Sequence, residues 1–104
     1  MESNAAISAL SALAQETRMA ILTMLAQQVR AGLSAGDIGE KLNVPLPTLS
    51  YHLSQLKRAG LVSSRRYART IVYSANYNAI DGLIEHLIKN CCQDADPSNG
   101  SPAH

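Results

Sequence analysis

Between Asn43 and Gly60 the chain reads NVPLPTLSYHLSQLKRAG, and its apolar residues recur at helical spacing. With Leu49 as the origin of a helical wheel, Leu53 and Leu56 fall within about 40° of it, while Thr48, Tyr51, Ser54, Gln55 and Arg58 gather on the opposite side. The spacing predicts a helix with one face for a core and one polar face for reading something outside the protein. Other segments share the period. Ala6, Ile7, Leu10, Leu13 and Ala14 predict a small helix over 5–14, with Ser8 and Ser11 turned away. Ile21, Leu22, Leu25 and Val29, with Met24 beside them, predict a second helix over 16–30, stopped near Ala31-Gly32, where glycine can take the left-handed capping conformation. Ser34 and Asp37 form an S-x-x-D start signal for a third helix, which runs to about Leu42 and buries Ile38 and Leu42.

Asn43 closes that helix, and Pro45 and Pro47 separate it from the next; proline is tolerated in a first turn because those amides lack intrahelical partners. Helix, short turn, helix with apolar anchors at Leu49, Leu53 and Leu56 is a helix-turn-helix pattern, whose second helix enters the major groove of DNA. After Ala59-Gly60 come two β-prone runs, 61–67 and 70–74, joined by a short turn near Ala68-Arg69 and carrying Arg65, Arg66 and Arg69. They predict a basic hairpin, or wing. From Asn78 the period is helical again, with Ile80, Leu83, Ile84, Leu87, Ile88 and Cys91 in one apolar stripe. The expected fold is mainly α (α+β): a winged helix-turn-helix with four helices, two strands and a last helix, forming one domain over 1–92. A polar, proline-containing tail over 93–104 is expected to be disordered. So small a domain has little room to bury both terminal helices, so the pattern predicts a homodimer through them, which suits two half-sites of a pseudo-palindrome.

A formal net charge of +1 on 104 residues conceals an uneven distribution. Between Lys41 and Ile80 there is no Asp or Glu, yet Lys41, Lys57, Arg58, Arg65, Arg66 and Arg69 all lie there, so that segment carries +6 and the ends carry all the acids. Such a patch neutralises phosphates and supplies the salt-dependent part of affinity for double-stranded DNA. The alternative is an ordinary solvated basic face. No apolar run approaches the roughly 20 residues needed to span a bilayer, and the N-terminus lacks a signal-peptide pattern, so a cytoplasmic protein without a membrane partner is expected. No nucleophile–base pair, carboxylate dyad or phosphate loop stands at usable spacing, which argues against an enzyme.

Several residues admit two readings. His52, about 60° from Leu49 on the wheel, fits a partly buried, hydrogen-bonded histidine better than a base reader. Tyr67, Tyr73 and Tyr77 can stack on nucleic acid or fill the sheet face. Cys91 and Cys92 are adjacent, which argues against a structural disulfide framework. Cys91 continues the apolar stripe and can be a small core residue, whereas Cys92 is off it; a redox switch between neighbours requires a strained ring. As a thiol pair they select soft ions over Mg²⁺ or Ca²⁺.

The runs LAQETRMAILTML, IGEKLNVPLPTLSYHLSQLKRAGLV and RRYARTIVYSA resemble the ArsR/SmtB family of metal- and metalloid-responsive bacterial repressors over roughly residues 10–92. Ser50, His52, Leu53, Leu56, Ala59, Gly60, Leu61 and Val62 carry the most specific part of the likeness. It implies a winged helix-turn-helix dimer that sits on its operator and releases it when an inducer binds, and it adds Ser50 to the DNA-binding set, near the backbone. The C-x-C pair that arsenic sensors often carry is replaced here by Ser34 and Gly36, and the last helix offers only Asp81, Glu85 and His86 toward a zinc-type site. Cys91-Cys92 resembles the terminal vicinal pair of members that capture trivalent arsenic. The implied metal site is therefore Cys91 and Cys92, with As(III), as arsenite or a methylated trivalent arsenical, or Sb(III) as inducer.

Overall fold

The computed structural model describes residues 1–28 and 31–92, the side chains of Cys91 and Cys92 excepted; the expectations for Val29 and for the tail over 93–104 lie outside the described residues. Five helices and three strands follow in the order α1 (Ser3–Leu13), α2 (Glu16–Ala26), β1 (Leu33–Ser34), α3 (Ala35–Leu42), α4 (Leu46–Arg58), β2 (Val62–Tyr67), β3 (Thr70–Ala75) and α5 (Tyr77–Cys92). The strands form an antiparallel sheet in the order β1-β3-β2. Ile21, Leu25, Ile38, Leu49, Leu53, Leu56 and Leu61 form the most deeply buried layer, so α2, α3 and α4 close on one core from three sides.

The local signals around α3 act as predicted. The Ser34 hydroxyl accepts from the Asp37 amide at 3.1 Å, and Asn43 takes the left-handed conformation (φ 57°) that ends the helix. At the far end of α4, Gly60 (φ +79°) turns the chain, and the Leu61 amide donates back to the Leu56 carbonyl at 3.0 Å.

Three expectations change. First, α1 buries Ala6, Ala9 and Ala12, while Ile7 and Leu10 are exposed. Its small-residue edge lets the helix approach α2 and α4 closely, Leu13 packs half-buried against the core, and Ile7 and Leu10 face outward. Second, α2 stops at Ala26 and does not run to residue 30. The Ala26 carbonyl is taken by the Tyr77 hydroxyl at 2.7 Å, so a side chain of α5 replaces the amide that a longer helix would have supplied. Gly32 is thus no helix cap; it has φ +71°, and a Cβ there would lie 2.5 Å from the Tyr73 carbonyl oxygen. Glycine is required because the chain closes against β3. Third, that approach creates β1, absent from the sequence reading, with Leu33 opposite Tyr73 and Ser34 opposite Val72.

In α5 the apolar stripe splits. Leu83 is buried, Ile80 and Leu87 are half-buried, and Ile84 and Ile88 are exposed. No helix among the described residues is long and apolar enough to cross a membrane.

Candidate nucleic-acid interface

The residues read as DNA-binding fall into three environments. Thr48, Ser50, Tyr51, Ser54 and Arg58 are exposed along α4, while Leu49, Leu53 and Leu56 on its other side are 0–1% exposed. The helix is anchored by one face and free on the other. Gln55 sits apart from the exposed set, half-buried in a groove shared with Asn4, Ser8 and Ser11 of α1.

A groove between α4 and the sheet is lined by Ser50, Ser54, Lys57, Arg58 and Tyr73. A second, lined by Ser34, Gly36, Ser50, Arg69 and Tyr73, shares Ser50 and Tyr73 with the first. The two therefore adjoin as one largely polar track along α4, with Lys57 and Arg58 toward one end and, at the other, Arg69 of the wing turn beside the start of α3. Ala68 (φ 55°) makes that turn between the paired residues Tyr67 and Thr70 and leaves Arg69 at the tip.

Strand alternation separates the other two arginines. Ser64 and Arg66 lie on the face of β2 that carries buried Val62, and the Lys57 ammonium on α4 donates to the Ser64 hydroxyl at 2.6 Å. Arg66 is therefore on the α4 side. Arg65 is on the opposite face, where its guanidinium donates to the Tyr67 hydroxyl at 3.1 Å. Tyr73 packs half-buried against the core, and Tyr77 is held by its hydroxyl, which leaves Tyr67 as the most exposed of the three.

Position and charge together suit α4 and the wing to a phosphate backbone, and the comparisons with known proteins point to a DNA-binding regulator. A helix-turn-helix domain model matches residues 13–65, about half of the chain. The transcriptional activator HlyU of Vibrio cholerae is 37% identical over 95 residues, which span 89% of this chain and 85% of HlyU. The solved structure of an ArsR-like transcriptional regulator from Rhodococcus sp. RHA1 superposes with a TM-score of 0.78 at 31% identity, covering 88% of this chain and 83% of that one. The chain belongs to the ArsR/SmtB family. Among its ArsR/SmtB relatives, the HTH-type transcriptional repressor SmtB of Mycobacterium tuberculosis is 30% identical over 86 residues, 83% of this chain and 62% of that protein. This ArsR/SmtB member is accordingly a DNA-binding transcriptional regulator with a winged helix-turn-helix fold, and not an enzyme. Its relatives differ in the sign of their regulation, since HlyU is named an activator and SmtB a repressor.

Two side chains outside the predicted set hold this surface in place. His52 is 8% exposed, and its Nδ1 meets the Arg18 guanidinium of α2 at 3.1 Å. Burial, and then the charge of Arg18, lower its pKa from the ordinary imidazole value. Asn76 precedes α5: its Oδ1 accepts from the Ala79 amide at 3.2 Å, its Nδ2 donates to the Gly60 carbonyl at 2.9 Å, and its own amide donates to the Leu61 carbonyl at 2.9 Å. An Asn just before an apolar helical run is a capping signal that sequence reasoning can find. Nothing local marks Arg18, which sits 34 positions from its partner.

Cys91 and Cys92 are the last two residues of α5. Among the described residues no group of three His, Cys, Asp or Glu side chains is close enough to hold a metal ion.

Proposed function

We propose that this chain is a homodimeric repressor that seats α4 in the major groove of its operator and leaves the DNA when As(III), or the similar Sb(III), is captured by Cys91 and Cys92. The observation that carries the reading is the largely polar track along α4, with Ser50, Ser54 and Arg58 on the helix, Arg69 at the wing tip and no carboxylate among its lining residues. Thr48, Tyr51 and Ser54 are placed to meet base edges, and Ser50, Arg58, Arg66 and Arg69 to meet phosphates. Gln55 and Arg65 stand at the margins of that surface.

Dimerisation is supported by the terminal helices. Ile7 and Leu10 on α1 and Ile84 and Ile88 on α5 are 42–64% exposed, an unusual cost in water for four large apolar side chains on two helices that pack together. A second copy covers them by a self-complementary contact and sets two α4 helices side by side.

The thiols suit the inducer by chemistry. Thiolate is the soft ligand type, and two of them at the end of one helix supply two bonds to a trivalent arsenic, each thiol proton leaving with a hydroxide of arsenous acid as water. Consecutive helical positions diverge by about 100°, so capture by both draws on loosening of the last turn of α5. Such a change at the dimer helix alters the spacing of the two α4 helices.

The test is a gel shift on DNA upstream of the protein's own gene, with and without arsenite, for wild type, Cys91→Ser and Cys92→Ser. Arsenite is expected to release wild type and leave both variants bound. Equal release of all three removes the cysteine sensor, and absence of a shift under any condition removes the operator-binding reading.

A further inference from the structure

Arg18 ties three helices together. Its Nε donates to the Ala12 carbonyl in the last turn of α1 at 2.6 Å, its own amide donates to Gln15 Oε1 at 2.8 Å, and its Nη1 reaches Nδ1 of His52 on α4 at 3.1 Å. His52 is buried within the apolar side of α4, and the ring of Tyr51 meets it edge-on at 5.5 Å. A guanidinium can only donate, so Nδ1 accepts and the ring proton resides on Nε2. The contact therefore requires a neutral imidazole. A second proton would set N–H against N–H and place two positive charges 3.1 Å apart.

Little nearby offsets that repulsion. From α2 the charged neighbour is Arg18 itself, α1 contributes the Ala12 carbonyl already engaged by it, and α4 contributes Tyr51. The adjoining groove between α1 and α4, lined by Ser8, Ser11, Gln55 and Arg58, offers no carboxylate among its lining residues.

We propose that Arg18 and His52 form a proton-sensitive clasp that positions α4, closed while the imidazole is neutral and opened by acid, so that operator affinity falls as pH drops. Its affinity readout rests on the operator-binding reading above and not on the cysteine sensor. The sign is informative. Protonation of exposed histidines adds positive charge and strengthens DNA binding, as for any polycation. A histidine whose protonation loosens the recognition helix does the reverse. Because burial and Arg18 lower the pKa of His52, its contribution to stability is complete above the unfolded imidazole value and is lost as pH falls through the folded one.

The experiment measures anisotropy of a labelled operator duplex at about pH 7.5 and about pH 5 at constant ionic strength, with thermal melts of the same samples. Wild type is expected to lose at least about fivefold in affinity at the lower pH and to melt several degrees lower. His52→Gln, whose side-chain oxygen accepts from Arg18 but gains no proton, is expected to hold affinity within about twofold of its own value at the higher pH, with a smaller drop in melting. If that variant does not fold, Arg18→Gln replaces it, since removing the fixed charge is expected to shrink the acid loss in the same way. Wild type binding as tightly at the lower pH, or a loss in the variants equal to that of wild type, overturns the proposal. An acid-sensitive melt abolished in His52→Gln, with no specific DNA binding at either pH, upholds the clasp and faults the operator reading.

Discussion

Helices α4 and α5 are both amphipathic, and they settle their apolar sides differently. In α4, Leu49, Leu53 and Leu56 are 0–1% exposed within a single chain, and every exposed residue after Leu46 except Tyr51 is a proline, a small polar residue or a cation. In α5, Leu83 is buried at 6%, while Ile84 and Ile88 remain 50% and 59% exposed. The position of α4 is thus fixed by the protomer's own core, whereas the outer apolar side of α5 has no cover within the described residues. A change on the buried side of α4 is expected to act on folding, and one on the outer side of α5 on the proposed dimer.

Leu53→Ala tests the first half of that contrast and has the largest expected effect. Removing a side chain only 1% exposed leaves a cavity between α4 and its neighbours and is expected to cost about 2–5 kcal/mol, measured as a lower urea midpoint at unchanged slope. A loss under about 1 kcal/mol would mean that α4 is not anchored by its core face. For α5, Ile84→Glu and Ile88→Glu are expected to leave far-UV circular dichroism intact while weakening the proposed dimer by roughly 2 kcal/mol per substitution, since each change appears twice in the assembly. Light scattering across a dilution series reads this directly, and a double variant that stays dimeric at wild-type concentrations would place the interface elsewhere.

Much of this contrast was legible in the sequence. The leucines of α4, the Ser34 cap, the Asn43 stop and the wing all follow from local rules, because period, cap chemistry and turn residues act over a few positions. The excess apolar length of the terminal helices was legible too. What local rules missed came from contacts between distant segments. The packing edge of α1 was not separable in sequence, because Ala6, Ala9 and Ala12 make the close contact while Ile7 and Leu10 of the same predicted stripe stay exposed. The end of α2 depends on a hydroxyl from Tyr77, 51 positions away. The two residues of β1 are too few to show alternation. At the proposed DNA-facing surface, Arg65 and Arg66 look equivalent in sequence, and strand parity puts them on opposite faces. The placing of Gln55 against α1 likewise follows from where α1 packs, which no spacing within α4 reveals.

Asn76 sharpens the comparison, because it is where the two helices meet. One side-chain atom caps α5 through the Ala79 amide, and the other holds the exit turn of α4 through the Gly60 carbonyl. Substitution separates the two roles. Asn76→Ala removes both and is expected to cost about 1–2 kcal/mol, the range of a lost cap with a carbonyl left short of a donor. Asn76→Ser keeps an acceptor for the cap and, being shorter, gives up the reach to Gly60. Its cost is expected to be about half that of alanine. The backbone amide bond to the Leu61 carbonyl survives in both variants, so the junction stays closed and the difference between them isolates the cap. If serine is as damaging as alanine, the hold on Gly60 carries the energy and Asn76 serves chiefly α4. If serine is neutral, it serves chiefly α5, and movement of α5 has to reach α4 through the bond from the Asn76 amide to the Leu61 carbonyl and through the core, not through this side chain.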